Sequence, residues 1–279
     1  MKLSANQFAT NVACRLGVDV MEGGDACPKC GIRLDCKGLQ CWSCMAGGDA
    51  TLEHNVVRDI FADFCQRGGL RPQTEAPGVL IGSLERPADV LVVPQLALAT
   101  LLPDGSRRVT TEKVCLDFAV INALGPGHWS ETATGSGVAA EAYDAHKRRR
   151  NNTEARCREQ GLVFCPVVFE QQGGRSKGAD AVIRSIADAI GAREGVEASS
   201  VKRSFEDRLA VTLARCGADM IARRQRQLGL RRPGVTAAVA ATFALRDDDE
   251  ADANQAETVT FQVSRDGIGQ PAARDIRLA

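Results

Sequence analysis

RPADVLVV (residues 86–93) and EKVCLDFAVI (residues 112–121) decide how this chain is read. Each is a short apolar run with one carboxylate set into it, Asp89 in the first and Asp117 in the second. The second run is apolar on both faces except at Asp117, the pattern of a strand covered on both sides. A carboxylate inside a buried strand costs free energy unless a cation compensates it. Two of them on neighbouring strands point to a shared divalent cation.

Outward from that pair, residues 95–112 read as an insert: LALATLL as a strand, PDG as a turn and RRVTTEK leading back into the sheet. On the N-terminal side, the apolar VLIG at 79–82 reads as a first strand. The stripe Val56, Val57, Ile60, Phe61, Phe64 and Cys65 predicts an amphipathic helix over 55–67, ended by Gly68-Gly69. On the C-terminal side, residues 122–135 are rich in Gly and Pro and read as loop. Helical periodicity runs from Ser136 to about Cys157 and carries Lys147-Arg148-Arg149-Arg150. LVFCPVVF at 162–169 reads as a buried strand. QQGG then turns into a helix capped by Ser176, and the glycine-rich turn offers a weak anion option. A last helix over 201–228 ends in Arg223, Arg224 and Arg226, and Arg231 and Arg232 extend that basic end.

Residues 27–54 read CPKCGIRLDCKGLQCWSCMAGGDATLEH. Cys27 and Cys30 form one CxxC and Cys41 and Cys44 a second, an arrangement that grips one tetrahedral zinc ion. The set is closed, so the zinc is expected to be structural. His54 reads either as a spare ligand or as a polar residue at a helix start, and Cys36 as a free thiol. Before the knuckle, Phe8, Val12 and Leu16 predict a short docking helix.

The chain has 279 residues, of which 44% are hydrophobic and 4% aromatic, with zero formal net charge and a pI near 6.8. This is enough for one large core. The low aromatic content argues against a stacking surface for single-stranded bases, and any basic surface must be local. No run is long enough to span a bilayer and the start lacks a secretory pattern, so the expected location is intracellular. Five of the 11 cysteines fall between Cys27 and Cys44, which in a reducing compartment points to metal rather than disulfides. The expected organisation is an N-terminal helix and knuckle (1–54), an α/β core (55–196), a C-terminal helix with a basic end (197–232) and a tail (233–279) that is acidic in part and expected to be partly disordered.

Two strand carboxylates followed by a basic helix suit phosphodiester hydrolysis. The carboxylates hold Mg²⁺, a cation offsets charge building on phosphorus, and arginines clamp flanking phosphates. Arg-Pro-Ala-Asp at 86–89, the Asp117 strand, the basic helix and the strand with Gly-Gly at 162–174 resemble the restriction-like endonuclease domain of site-specific non-LTR retrotransposons, in the PD-(D/E)xK superfamily. The knuckle followed by EHNVVRDI is similar to the zinc motif in front of that domain. The resemblance covers roughly residues 8–195 and implies a restriction-endonuclease-like mixed sheet flanked by helices. It implies Asp89 and Asp117 as magnesium ligands and Lys147 as the catalytic lysine, with Arg149 as the alternative cation. Arg86 becomes the basic residue of the first motif half, and Arg86, Arg148, Arg149 and Arg150 the DNA contacts. The partners implied are DNA, with RNA and a reverse transcriptase beside it, and the location nuclear. Three departures stand out: Ala88 precedes the first Asp, no lysine follows Asp117 on its strand, and Gln40 stands where the family's knuckle carries a histidine, so that Cys41 is expected to substitute. The alternative is a catalytically inactive nucleic-acid-binding protein of the same fold.

Overall fold

The computed structural model describes residues 2–81, 86–93, 98–101, 107–110 and 112–230. The expected tail from 233, Arg231 and Arg232, and the PDG turn lie outside the described residues.

The order of elements is α1 (Ala5–Arg15), α2 (Leu39–Ser43), α3 (Asp49–Arg67), β1 (Arg71–Thr74), β2 (Val90–Val93), β3 (Leu98–Leu101), β4 (Arg107–Thr110), β5 (Lys113–Ile121), α4 (Trp129–Thr132), α5 (Val138–Arg149), α6 (Thr153–Glu159), β6 (Leu162–Glu170), α7 (Lys177–Glu194) and α8 (Ala198–Leu228). The main sheet is mixed, in the order β1-β2-β5-β6. The first two pairings are antiparallel and β5-β6 is parallel. β3 and β4 form a separate antiparallel hairpin, as the insert's pattern implies.

The chain alternates apolar side chains across the sheet, so β5 and β6 feed two cores. Val114, Leu116 and Phe118 on β5, with Val167 and Phe169 on β6, pack beneath α3, α7 and α8, where Phe61 touches the rings of Phe118 and Phe205. The opposite face carries Cys115, Phe164 and Leu162 with Leu91 of β2 and Cys157 of α6, and further along Ile121 and Val168 beneath Ala139 and Ala140 of α5. A sheet between two helical layers is therefore the architecture that positions the site.

Several elements depart from the sequence reading. The first strand is Arg71–Thr74, not VLIG at 79–82. It pairs on one side only, which is why Pro72 is tolerated and why its mostly exposed residues carry no hydrophobic signal. Leu80 is buried all the same, against Ala88 and Leu91. The α3 helix starts six residues before the expected helix start at 55, because Asp49 and Glu53 extend its buried face. The helix expected over 136–157 breaks in two at Asn151 and Asn152, both in the left-handed region that Asn tolerates better than most residues. In α1 the buried face is Ala9, Thr10 and Ala13, while Leu16 is exposed.

The knuckle docks on the far end of α8. Gly38 adopts φ 75° ahead of α2, and a Cβ there would lie 2.7 Å from Ile221 Cδ1, so a glycine is required by both backbone and packing. The Gly-Gly turn after β6 serves packing too. A Cβ on Gly174 would fall on the Glu170 carboxylate, which instead accepts hydrogen bonds from Gly137 N at 3.1 Å and Ala140 N at 3.2 Å and so satisfies the start of α5.

Candidate active site and metal centre

The two aspartates meet. Val90 is level with Leu116, and the next step of the antiparallel register sets Asp89 opposite Asp117. Asp89 N donates to Leu116 O at 2.9 Å, and Asp89 Oδ2 accepts from Phe118 N at 2.7 Å. The two carboxyl groups are near enough for Asp89 to raise the Asp117 pKa. Lys147, on α5, donates to Asp117 Oδ2 at 2.8 Å and to Phe118 O at 2.9 Å. Of the two cations considered for this position, Lys147 is the one that reaches the acids.

The electrostatics separate the pair. Burial raises the Asp117 pKa; Lys147 offsets part of that, and Asp89 adds to it. Burial acts the same way on Asp89, yet the His54 ring, the Phe118 N–H and Lys147 outweigh it and hold Asp89 below the usual carboxylate range. Two close carboxyls with pKa values pushed apart share a proton or a cation. A divalent ion could take the place of that proton, and Asp89 and Asp117 are the residues that would hold it.

His54 was missed by spacing arguments, which could only place it beside the knuckle. It lies on α3, and its Nε2 is 3.0 Å from Asp89 Oδ2. The Asp89 hydrogen bond raises its pKa against the pull of burial. The site thus draws on α3 from one helical layer and α5 from the other.

Asp117 and Lys147 open into a cleft of about 300 Å³ also lined by Arg86, Tyr143, Arg150 and Asn151. Arg86 is exposed and touches Glu75 at 3.3 Å. Arg149 is exposed on the same helix end. Arg148 points elsewhere: its guanidinium is held by Asp144 at 2.5 Å and Glu154 at 2.7 Å and reaches Phe164 O at 3.3 Å. It fastens α5 to α6 and β6 rather than facing the cleft, because the break at 151–152 folds α6 back across it.

The thiols form a second centre. Cys27, Cys30 and Cys44 place their sulfurs within 4.8 Å of one another, and among the described residues this is the only group of three or more such ligands. The Cys27 and Cys44 sulfurs are 3.8 Å apart. Such a group can hold a metal such as zinc. Cys41, expected as the fourth ligand, is outside the group: it is buried with its Sγ 3.9 Å from Met21 Sδ. His54, the spare ligand, is at Asp89. Burial opposes ionisation of Cys27, but backbone N–H groups of Cys30 and Lys29 and the Arg224 side chain bring its pKa down to about 7. Burial pushes Cys41 up to about 12.

Arg224 belongs by sequence to a basic helix end, yet it is 1% exposed. Its Nη2 lies 3.6 Å from Cys44 Sγ and its Nη1 2.8 Å from Asp49 Oδ2, while Arg223 Nε is 2.8 Å from Asp49 Oδ1. No local pattern marks this, because the partners are separated by most of the chain.

No family model matches the chain, and no curated protein matches it.

Proposed function

We propose that this chain is a metal-dependent DNA endonuclease that hydrolyses phosphodiester bonds and nicks its target. The observation that supports this most is the register that sets Asp89 opposite Asp117, with Lys147 2.8 Å from Asp117 and Asp117 at the wall of a cleft lined by Arg86 and Arg150. A half-buried acid pair is costly to keep for packing alone, and here Asp117 is 25% exposed and faces the cleft. Mg²⁺ held by Asp89 and Asp117 would supply a Lewis acid for the scissile phosphate and lower the pKa of an attacking water.

The protein's own groups do the rest. Lys147 sits where it can donate to a phosphate oxygen and offset the charge that builds there. His54 keeps Asp89 ionised and oriented. Arg86 and Arg150 are placed to bind the phosphates on either side of the cut, a task suited to their forked donors. The restriction-endonuclease-like fold, the retrotransposon origin, a nuclear location and association with a reverse transcriptase follow from the motif resemblance as parts of the same proposal, with DNA as the main partner and RNA beside it.

The test is a supercoiled-plasmid nicking assay with Mg²⁺, run on the full chain and on Asp117→Asn. The expected result is nicking that the substitution abolishes. Equal nicking by both proteins would refute the assigned site. Salt-sensitive DNA binding without nicking would assign the inactive nucleic-acid-binding reading instead.

A further inference from the structure

The short helix α2 decides which side chain stands beside the three thiols. Cys44 directly follows it, and on a helical repeat both Gln40, four positions earlier, and Cys41, three earlier, lie within about 60° of its direction, on opposite sides of it. The contacts decide between them. Gln40 Nε2 is 3.5 Å from Cys30 Sγ, and the Cys41 thiol lies against Met21. The start of α2 is fixed as well, since Asp35 accepts from Leu39 N at 3.0 Å and from Gln40 N at 2.7 Å. The Gln40 amide is therefore held beside the cluster, and an amide's oxygen and nitrogen exchange places by a half-turn of its last torsion.

Charge points the same way. Three thiolates around a divalent ion leave a net charge of −1, and four leave −2. The buried cation at the thiols is Arg224, whose charge Asp49 shares, so little positive charge is at hand to offset a fourth thiolate.

We propose that the centre is a three-thiolate, one-amide site for a thiophilic divalent ion, with Cys27, Cys30 and Cys44 as thiolates and Gln40 Oε1 as the fourth ligand. The proposal rests on the reading of the thiol cluster as a metal site. An amide oxygen binds a soft ion weakly beside thiolates, so the fourth position is exchangeable and the centre differs from a closed four-thiolate staple.

Co²⁺ titrated into metal-free full-length protein tests this through its visible and near-ultraviolet absorption. The expected spectrum has tetrahedral d–d bands at shorter wavelength than a four-thiolate site gives, and charge-transfer intensity for three thiolates. Cys41→Ala is expected to leave the spectrum unchanged and the Co²⁺ affinity within twofold. Gln40→Ala is expected to weaken Co²⁺ about tenfold, and Gln40→His to tighten it and shift the d–d bands. Loss of about a quarter of the charge-transfer intensity in Cys41→Ala, or a Gln40→His spectrum identical to the parent's, would overturn the assignment of Gln40 while leaving a metal site in place. Absence of thiolate charge transfer in the parent protein would overturn the metal reading itself, and the assignment with it.

Discussion

The thiol cluster and the acid pair solve the same physical problem by opposite means. Both crowd groups that repel one another once ionised. The cluster's thiols come from one stretch of 18 residues, Cys27 to Cys44, and its compensating charge is imported from the far end of the chain as a guanidinium sealed from solvent. The acid pair is assembled from two strands, and its compensating groups, Lys147 and His54, stay partly exposed beside an open cleft. A sealed cation suits a centre that holds structure. An accessible one suits a centre that must exchange partners. The α3 helix joins the two, with Asp49 at the cluster and His54 at the acids.

The largest expected effect sharpens that contrast directly. Arg224→Met leaves Asp49 and the thiols short of a buried positive charge and is expected to cost about 3–5 kcal/mol in urea unfolding. Lys147→Met removes the corresponding cation from the acids, where water and residual proton sharing can relieve the loss, and is expected to cost about 2 kcal/mol. Equal costs would mean that the two sites are equally sealed and would break the comparison.

Asp117→Asn should do the reverse: little change in the urea midpoint, but a loss of nicking on the order of 10²–10³-fold, equivalent to about 3–4 kcal/mol of barrier. A variant that unfolds yet cuts when folded would place Asp117 among the packing residues.

Glu53, on the same helix between the two sites, gives a pH test of similar size. It is buried, one carboxylate oxygen has no hydrogen-bond partner, and burial, only partly offset by Gln171, raises its pKa to about 7. A carboxyl whose folded pKa lies above its unfolded value of 4.5 favours the folded state at low pH, and that contribution is lost as pH rises from about 4.5 to about 7. The loss amounts to about 3 kcal/mol. Glu53→Gln should therefore remove the decline in stability across that window, measured by urea midpoints at pH 5 and pH 8. His54 and Asp89 contribute differently. Their pair is present only between the lowered Asp89 pKa and the raised His54 pKa, so its support is lost at both ends of the range rather than across the middle.

How far these features could be read beforehand follows from what fixes them. The strand over 113–121, the buried run at 162–170 and the helix after Ser176 are set by local periodicity and capping, and they lie where the pattern puts them. The closeness of Asp89 and Asp117 follows from strand register, so two marked strands sufficed. Arg71–Thr74 escaped because an exposed edge strand has no apolar alternation to show. His54 and Arg224 escaped for another reason. Each gets its role from a partner 35 or 180 residues away, and a histidine near cysteines or an arginine at a helix end looks locally like something else. Cys41 lies outside the thiol group because its thiol packs on Met21, a contact that CxxC spacing does not encode.

The smallest expected effect separates neighbours in one basic run. Arg148 and Arg150 are two positions apart, yet one is bound between α5 and α6 by two carboxylates and the other lines the cleft. If DNA phosphates lie along the cleft, Arg150→Ala removes one phosphate contact. It should weaken binding modestly for every sequence and lower the slope of log affinity against log salt by about 0.9, with urea stability unchanged. Arg148→Ala should leave that slope alone and lower stability by about 1–3 kcal/mol, since it strands the buried Asp144 carboxylate. The sign of the distinction matters more than its size. A salt slope that falls with Arg148 and not with Arg150 would mean that DNA approaches from the α6 side, where the ion pairs would have to open, and the acids would then sit on the wrong wall to reach it.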